Sequence, residues 1–181
     1  MVTIDTSRLV LRRWRESDVP AMAAVNADPE VMRWIRDGRV LSPEETRLWI
    51  ERVERNWEAE GFGLFAVEWR ASGELVGFTG LAVPTFLPEV LPAVEIGWRL
   101  GRPFWGLGIA TEAATAVLRF GFEGRGLERI ISIAQVGNSA SERVMAKLGL
   151  RPERETTAPG NGRVVRVHEL TRVEYLSRRQ G

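Results

Sequence analysis

One stretch of the chain constrains the rest: AVEIGWRLGRPFWGLGIATEAATAVLRFGF, residues 93–122. Its first part alternates. Val94, Ile96, Trp98 and Leu100 share one face and Glu95, Gly97 and Arg99 the other, so it reads as a strand. A tight turn with Gly106 and Gly108 follows, then a helix whose stripe is Ile109, Ala113, Ala116, Val117 and Phe120. Such a stripe of small residues lets a helix lie close on a sheet. A strand that feeds a glycine turn into a helix aims free backbone N–H groups at one spot, where the helix adds partial positive charge. That spot suits a phosphate, so a phosphorylated cofactor is expected on the turn.

The flanking sequence predicts a sheet around this unit. Residues 9–14 read as a short strand, and Ser17 and Asp18 open a short helix. Asp28-Pro29 starts a second short helix, through Ile35. Ser42-Pro43-Glu44-Glu45 is a capping box, and the helix it opens carries Trp49, Val53 and Trp57 on one face before Gly61. Residues 64–70 and 74–83 alternate as a hairpin, with Gly77 and Gly80 marking a bulge or a close backbone approach. Three prolines make residues 84–92 an irregular loop.

Beyond the glycine turn, residues 128–134 form a strand. Asn138 then caps a helix with Ala140, Val144 and Leu148 on one face, closed by Gly149. Residues 151–156 and 164–170 are two last strands, and Thr171-Arg172-Val173-Glu174 opens a short final helix. The order predicts one domain over 1–181. It is of the α/β (α+β) class, a mixed, mainly antiparallel sheet of about seven strands with helices on both faces.

Composition removes several function classes. Lys plus Arg nearly equals Asp plus Glu, for a net charge of +1. That balance gives no support to nucleic-acid or membrane-surface binding. With no cysteine and a single histidine, His168, thiolate nucleophiles, disulfides and His-rich metal sites are excluded. The first residues lack the apolar core of a signal peptide, and no run approaches the roughly 20 apolar residues of a membrane helix. The expectation is a cytoplasmic protein with no metal.

Three phosphate-binding patterns compete for the turn. A Walker A loop needs Gly-Lys-Ser/Thr after its spacer, which is missing here. A dinucleotide fingerprint needs a third small residue where Thr111 stands, and an acid ending the next strand; Glu128 instead precedes it. A Rossmann-type oxidoreductase is therefore the weakest reading.

The third pattern rests on resemblance. Trp105-Gly106-Leu107-Gly108-Ile109-Ala110 resembles the acyl-CoA-binding motif of the GNAT acetyltransferases, with Trp105 in place of the usual Gln or Arg. EIGWRL and FWGLGIATEA, Asn138-Ser139-Ala140-Ser141, the KLG at Lys147-Leu148-Gly149 and the opening Ser7-Arg8-Leu9-Val10-Leu11-Arg12 follow in one order. Together they resemble the ribosomal-protein N-terminal (RimJ/RimL-type) acetyltransferase branch.

The resemblance implies a GNAT fold and acetyl-CoA as co-substrate. The pyrophosphate would take the amides of Gly106, Leu107, Gly108, Ile109 and Ala110. The pantetheine arm would pair with Trp98, Arg99 and Leu100, where a backbone N–H would also polarise the thioester carbonyl. Asn138 would contact the cofactor.

Transfer to an amine needs the amine neutral and a proton for the departing thiolate. Glu95 is the candidate base, direct or through a water, matching the glutamate of the EIG pattern; its bland reading is a strand carboxylate facing solvent. Many relatives place a tyrosine where Met145 stands, so Ser141 is the candidate acid, against the reading of a helix-start hydroxyl. His168 in its strand reads as structural rather than catalytic. Trp34, beside Arg33 and Arg36, is the candidate substrate contact, whereas Trp49 and Trp57 read as core.

The expected activity is N-acetyl transfer to a primary amine, on a protein N-terminus or a small molecule. A homodimer is compatible with it. The alternative is a non-catalytic acyl-CoA sensor.

Overall fold

The computed structural model describes residues 2–179. Its strands join in one eight-stranded sheet, ordered β1-β2-β3-β4-β5-β6-β8-β7. They are β1 (Ile4–Asp5), β2 (Leu9–Arg12), β3 (Leu64–Trp69), β4 (Leu75–Ala82), β5 (Glu95–Leu100), β6 (Arg129–Gln135), β7 (Arg151–Thr157) and β8 (Val164–Thr171). The strand beyond the expected seven is β1, two residues defined only by pairing with Leu11 and Val10. All neighbours are antiparallel except β5 and β6.

The helices are α1 (Val19–Asn26), α2 (Pro29–Met32), α3 (Pro43–Glu60), α4 (Ile109–Arg119), α5 (Ser139–Leu148) and α6 (Arg172–Ser177). Both capping boxes form, Ser42 with Glu45 and Thr171 with Glu174, and Gly61 ends α3 in the left-handed conformation. α2 stops at Met32 and not at Ile35. The N–H groups of Ile35 and Gly38 bond three residues back, to Met32 and Ile35, so this segment is a pair of turns. Arg36, between them, has φ of 50°.

Alternation along β5 decides what each face meets. Arg99 touches Asn26 of α1 and stands over Trp49 of α3, so the face of Glu95, Gly97 and Arg99 is covered by α1 and α3. Ile96 and Leu100 point the other way and are buried. On that second face Leu81, level with Ile96, approaches Gly121 just beyond α4, and α4 packs on α5. The main core fills both layers, with Phe65, Phe122, Leu81, Ile96, Ile109 and Met145 fully enclosed. A smaller cluster, Leu87, Val90, Ile131, Ala158, Val165 and Val167, anchors the proline loop onto β6 and β8.

Gly77 and Gly80 are required by close approach. A Cβ on Gly77 would lie 2.1 Å from the Arg99 carbonyl oxygen, and one on Gly80 2.3 Å from that of Gly63. The β3–β4 register also shifts between Val67 and Glu68, beside Gly77.

The buried face of α5 is Met145 and Leu148, with Val144 and Ser141 partly covered, while Ala140 is exposed. The sequence periodicity had placed Ala140 inward. It sits in the first turn of the helix.

Candidate active site at the splayed strands

The site begins with a failure of pairing. β5 and β6 run parallel, yet among the described residues they pair in register only at Glu95 against Ile131. There the Ile131 N–H donates to the Val94 carbonyl, 2.9 Å, and the Ser132 hydroxyl to the Ile96 carbonyl, also 2.9 Å. Beyond this point the strands diverge.

Because Val94 aims its backbone at β6, alternation aims Ile96, Trp98 and Leu100 the same way, and Glu95, Gly97 and Arg99 at β4. The Leu100 carbonyl is taken by the Trp105 indole N–H at 2.8 Å. Among the described residues, both backbone groups of Trp98 and the N–H of Leu100 face the gap without a strand partner. By its backbone Arg99 pairs with Phe78 of β4 and enters the site only through its side chain.

A cavity of about 790 Å³ opens where the strands part. Glu95, Gly97, Trp98 and Arg99 line it from β5 and residues 132–135 from β6. Asn138, Ser141 and Met145 reach it from α5, and Trp49 and Arg52 from α3. Those two helices lie on opposite faces, so the cavity passes through the sheet. Gly97 keeps it open, since nothing lies within 4 Å of where its Cβ would be.

Glu95 retains part of its surface toward this space, but protein surrounds the carboxylate and burial lifts its pKa to about 8. The nearby Ile133 N–H pulls the other way and loses. A carboxyl group poised there can accept a proton from an ammonium near neutral pH.

The Asn138 side chain accepts from the Ser141 N–H, 3.3 Å, and so caps α5 as expected. The Ser141 hydroxyl makes no hydrogen bond among the described residues and lines the cavity instead of serving the helix start.

Trp34 lines the cavity too, in the turns that follow α2, where the sequence predicts helix through Ile35. Two residues latch these turns: Gln135 donates to the Arg36 carbonyl, 2.7 Å, and Arg163 donates to the carbonyls of Arg33 and Asp37 and to Gln135. No motif marked Gln135 or Arg163. Their role comes from β8 lying beside β6, which a single sequence does not display. Trp57 is core, as expected, whereas Trp49 packs on Trp14 and Phe78 and also borders the cavity.

The glycine turn lies past the end of β5. Gly106 and Gly108 have φ of 75° and 77°, a region open to glycine at little cost. The Trp105 N–H bonds Arg102 and the Glu112 N–H bonds Gly108, while the amides between find no backbone acceptor among the described residues. Leu107 and Trp105 are exposed.

Glu112, in the first turn of α4, ties this region to the N-terminal segment. Burial alone would raise its pKa. Hydrogen bonds from Thr6, from the backbone and side chain of Arg8 and from Ser7 outweigh that and hold it at about 2. Arg8 also donates to the Leu107 carbonyl, 2.9 Å. Sequence reasoning missed this anchor, which joins residues a hundred positions apart.

The remaining titratable candidates lie elsewhere. His168 is buried between β6 and β7, level with Ser132 and Pro152; burial holds its pKa down and it does not line the cavity. Tyr175 stacks on Phe122 and donates to Glu123, 2.8 Å, and does not line the cavity.

A mainly antiparallel sheet with one splayed parallel pair is not a dinucleotide fold, and the oxidoreductase reading falls with it. Residues 8–151 match the acetyltransferase (GNAT) domain, and the chain belongs to that family. It is an acyltransferase of the N-acetyltransferase type, in a family that uses acetyl-CoA.

Among its relatives, the N-acetyltransferase YnaD of Bacillus subtilis is 32% identical over 151 residues, 83% of each chain. The FsC-acetyl coenzyme A-N(2)-transacetylase of Aspergillus fumigatus is 32% identical over 96% of this chain and 78% of its own. A GNAT-family acetyltransferase from Bacillus anthracis superposes with a TM-score of 0.80 at 27% identity, over 96% of this chain and all of that one. The fold is shared with RimL, the ribosomal L7/L12 α-N-protein acetyltransferase solved with coenzyme A, at a TM-score of 0.78 and 21% identity over 96% of this chain and 99% of that one.

Proposed function

We propose that the chain, as one domain over 1–181, transfers acetyl from acetyl-CoA to a primary amine inside the cavity between β5 and β6. The observation that carries this is the unpaired backbone of Trp98 beside the raised-pKa carboxyl of Glu95, in a cavity open to both faces of the sheet. Acetyl-CoA supplies the activated acetyl group. The edge of β5 at Trp98 and Leu100 fits an extended amide-bearing arm, which would add to it as a strand does. The amides of Gly106, Leu107, Gly108, Ile109 and Ala110, at the start of α4, fit its pyrophosphate.

In this reading Glu95 takes the ammonium proton and leaves a neutral amine. The Trp98 N–H faces the carbonyl oxygen that gains negative charge. As the C–N bond forms and the C–S bond breaks, the Ser141 hydroxyl supplies a proton to the departing sulfur and regains one from the attacking nitrogen, and Asn138 sets the start of α5 that carries it. Trp34 borders the acceptor. The acceptor is an amine of a protein N-terminus or of a small molecule. We place the protein in the cytoplasm, without metal, and a homodimer is compatible with the site.

Thiol release from acetyl-CoA in the presence of amines and short peptides tests the proposal. Acceptor-dependent release accompanied by acetylated product supports it. The sensor alternative draws on Met145 standing where the resemblance to GNAT enzymes leads one to expect a tyrosine; tight acetyl-CoA binding with no turnover on any acceptor would favour it.

A further inference from the structure

The acceptor side of the cavity holds more cationic than anionic side chains, and the excess is not random. Arg99 is its centre. Its Nη1 donates to the Asn26 side-chain oxygen at 2.6 Å, and Asn26 donates in turn to Thr46. The guanidinium stands over the rings of Phe78 and Trp49, 5.2 and 5.9 Å from their centroids. Its Nε is buried with no hydrogen-bond partner, and no carboxylate lies within ion-pair distance of it among the described residues.

Burial and the charge of Arg36 press its pKa down to about 10, so it stays charged at neutral pH. An enclosed charge facing only neutral groups is costly, and one counter-charge in the right place relieves it.

The surroundings repeat the bias. Arg36 lines the same cavity, with φ of 50° and its carbonyl accepting from Gln135, and it has no ion pair among the described residues. Arg52 lines it likewise unpaired, whereas Arg39 is matched by Glu45. Of the lining carboxylates, Asp37 accepts from the Arg39 backbone, and Glu95 is mostly protonated below about pH 8.

Glu95 and Arg99 lie on one face of β5, four residues or about 13 Å apart along the strand. Between them is Gly97, whose missing side chain leaves the floor open.

We propose that the acceptor is an aminocarboxylate, a primary amine whose own carboxylate seats against Arg99, within the field of Arg36, while its amine lies toward Glu95. The inference rests on the acetyl transfer proposed above. It goes further by naming the acceptor's charge.

The test uses pairs of acceptors that differ only in charge: ω-amino acids and short peptides of graded length, each against its own amide. Thiol release gives kcat/KM for both members of every pair. At the best length the acid is expected to exceed the amide at least tenfold. In Arg99→Gln that ratio should fall close to one, and Arg99→Lys should restore part of it.

If Arg99→Gln does not fold, the wild type still decides. The carboxylic acid lacking the amine should compete with the acceptor and not with acetyl-CoA, whereas its amide should not. Amines turned over with an acid-to-amide ratio near one overturn the proposal and leave acetyl transfer standing. A high ratio that persists in Arg99→Gln does the same. No turnover of any amine overturns both.

Discussion

Glu95→Gln preserves the shape of the side chain and removes its ability to ionise. In the folded protein this carboxyl titrates near pH 8 against an ordinary 4.5, and burial is the main cause. Between those values the folded chain holds a proton that the unfolded chain has released. Wild-type stability is therefore fully present below about pH 4.5 and is lost as pH rises through 8. At about 1.36 kcal/mol per pH unit, the rise sets a ceiling of about 5 kcal/mol. The side chain's opening to the cavity admits water, and screening brings the expected loss to about 2–3 kcal/mol.

Glutamine cannot suffer this loss. Variant and wild type should match in stability near pH 4.5, and the variant should be more stable by about 2–3 kcal/mol at pH 9. Urea unfolding at constant ionic strength across that range reads the difference directly. A gap that does not change with pH would refute the enclosure of Glu95. The kinetic counterpart is a wild-type kcat/KM that is half-maximal near pH 8 and reaches its plateau above that pH. Glu95→Gln should lose that limb together with about 10²–10⁴ in rate.

Three further outcomes follow from the same geometry. Gly108→Ala puts an alanine at φ of 77° with its Cβ 3.6 Å from Arg8 Nη2, an ordinary contact, so it should cost about 1–2 kcal/mol from conformation alone. It should also weaken acetyl-CoA binding several-fold by calorimetry; unchanged affinity would detach the turn from the cofactor. In Glu112, a pKa held at about 2 means stability present above pH 4.5 and lost as pH falls through 2. Glu112→Gln should thus lose about 1–2 kcal/mol at pH 7, discounted for partial exposure, with the gap closing toward pH 2. Arg163→Ala frees the turns that carry Trp34 and Arg36, so steady-state kinetics should show a higher acceptor KM at unaltered acetyl-CoA affinity.

What could be read from the sequence was local. Capping boxes at Ser42 and Thr171, the Asn138 cap and the alternation of β5 are short-range devices, and each forms as its residues dictate. β1 escaped notice because two residues carry no period, and α2 ran short because three-residue turns share the apolar pattern of a helix.

In the site, spacing and resemblance singled out Glu95, Trp98, Arg99, Asn138 and Ser141, and residue type beside two arginines singled out Trp34; all six line one cavity. What spacing could not display was long-range. The latch of Gln135 and Arg163 on residues 33–38, the Glu112 anchor and the unneutralised Arg99 depend on which strands neighbour one another. The β5–β6 splay is likewise a property of the sheet rather than of either strand.

The most direct measurement of the central claim follows purified protein, acetyl-CoA and a panel of amines and peptides together, counting free CoA thiol and acetylated product in the same reaction. One thiol should be released per amine acetylated, at a rate that depends on the acceptor and falls in Glu95→Gln. Saturable binding of acetyl-CoA, with no acceptor-dependent thiol and no acetylated amine, would contradict it.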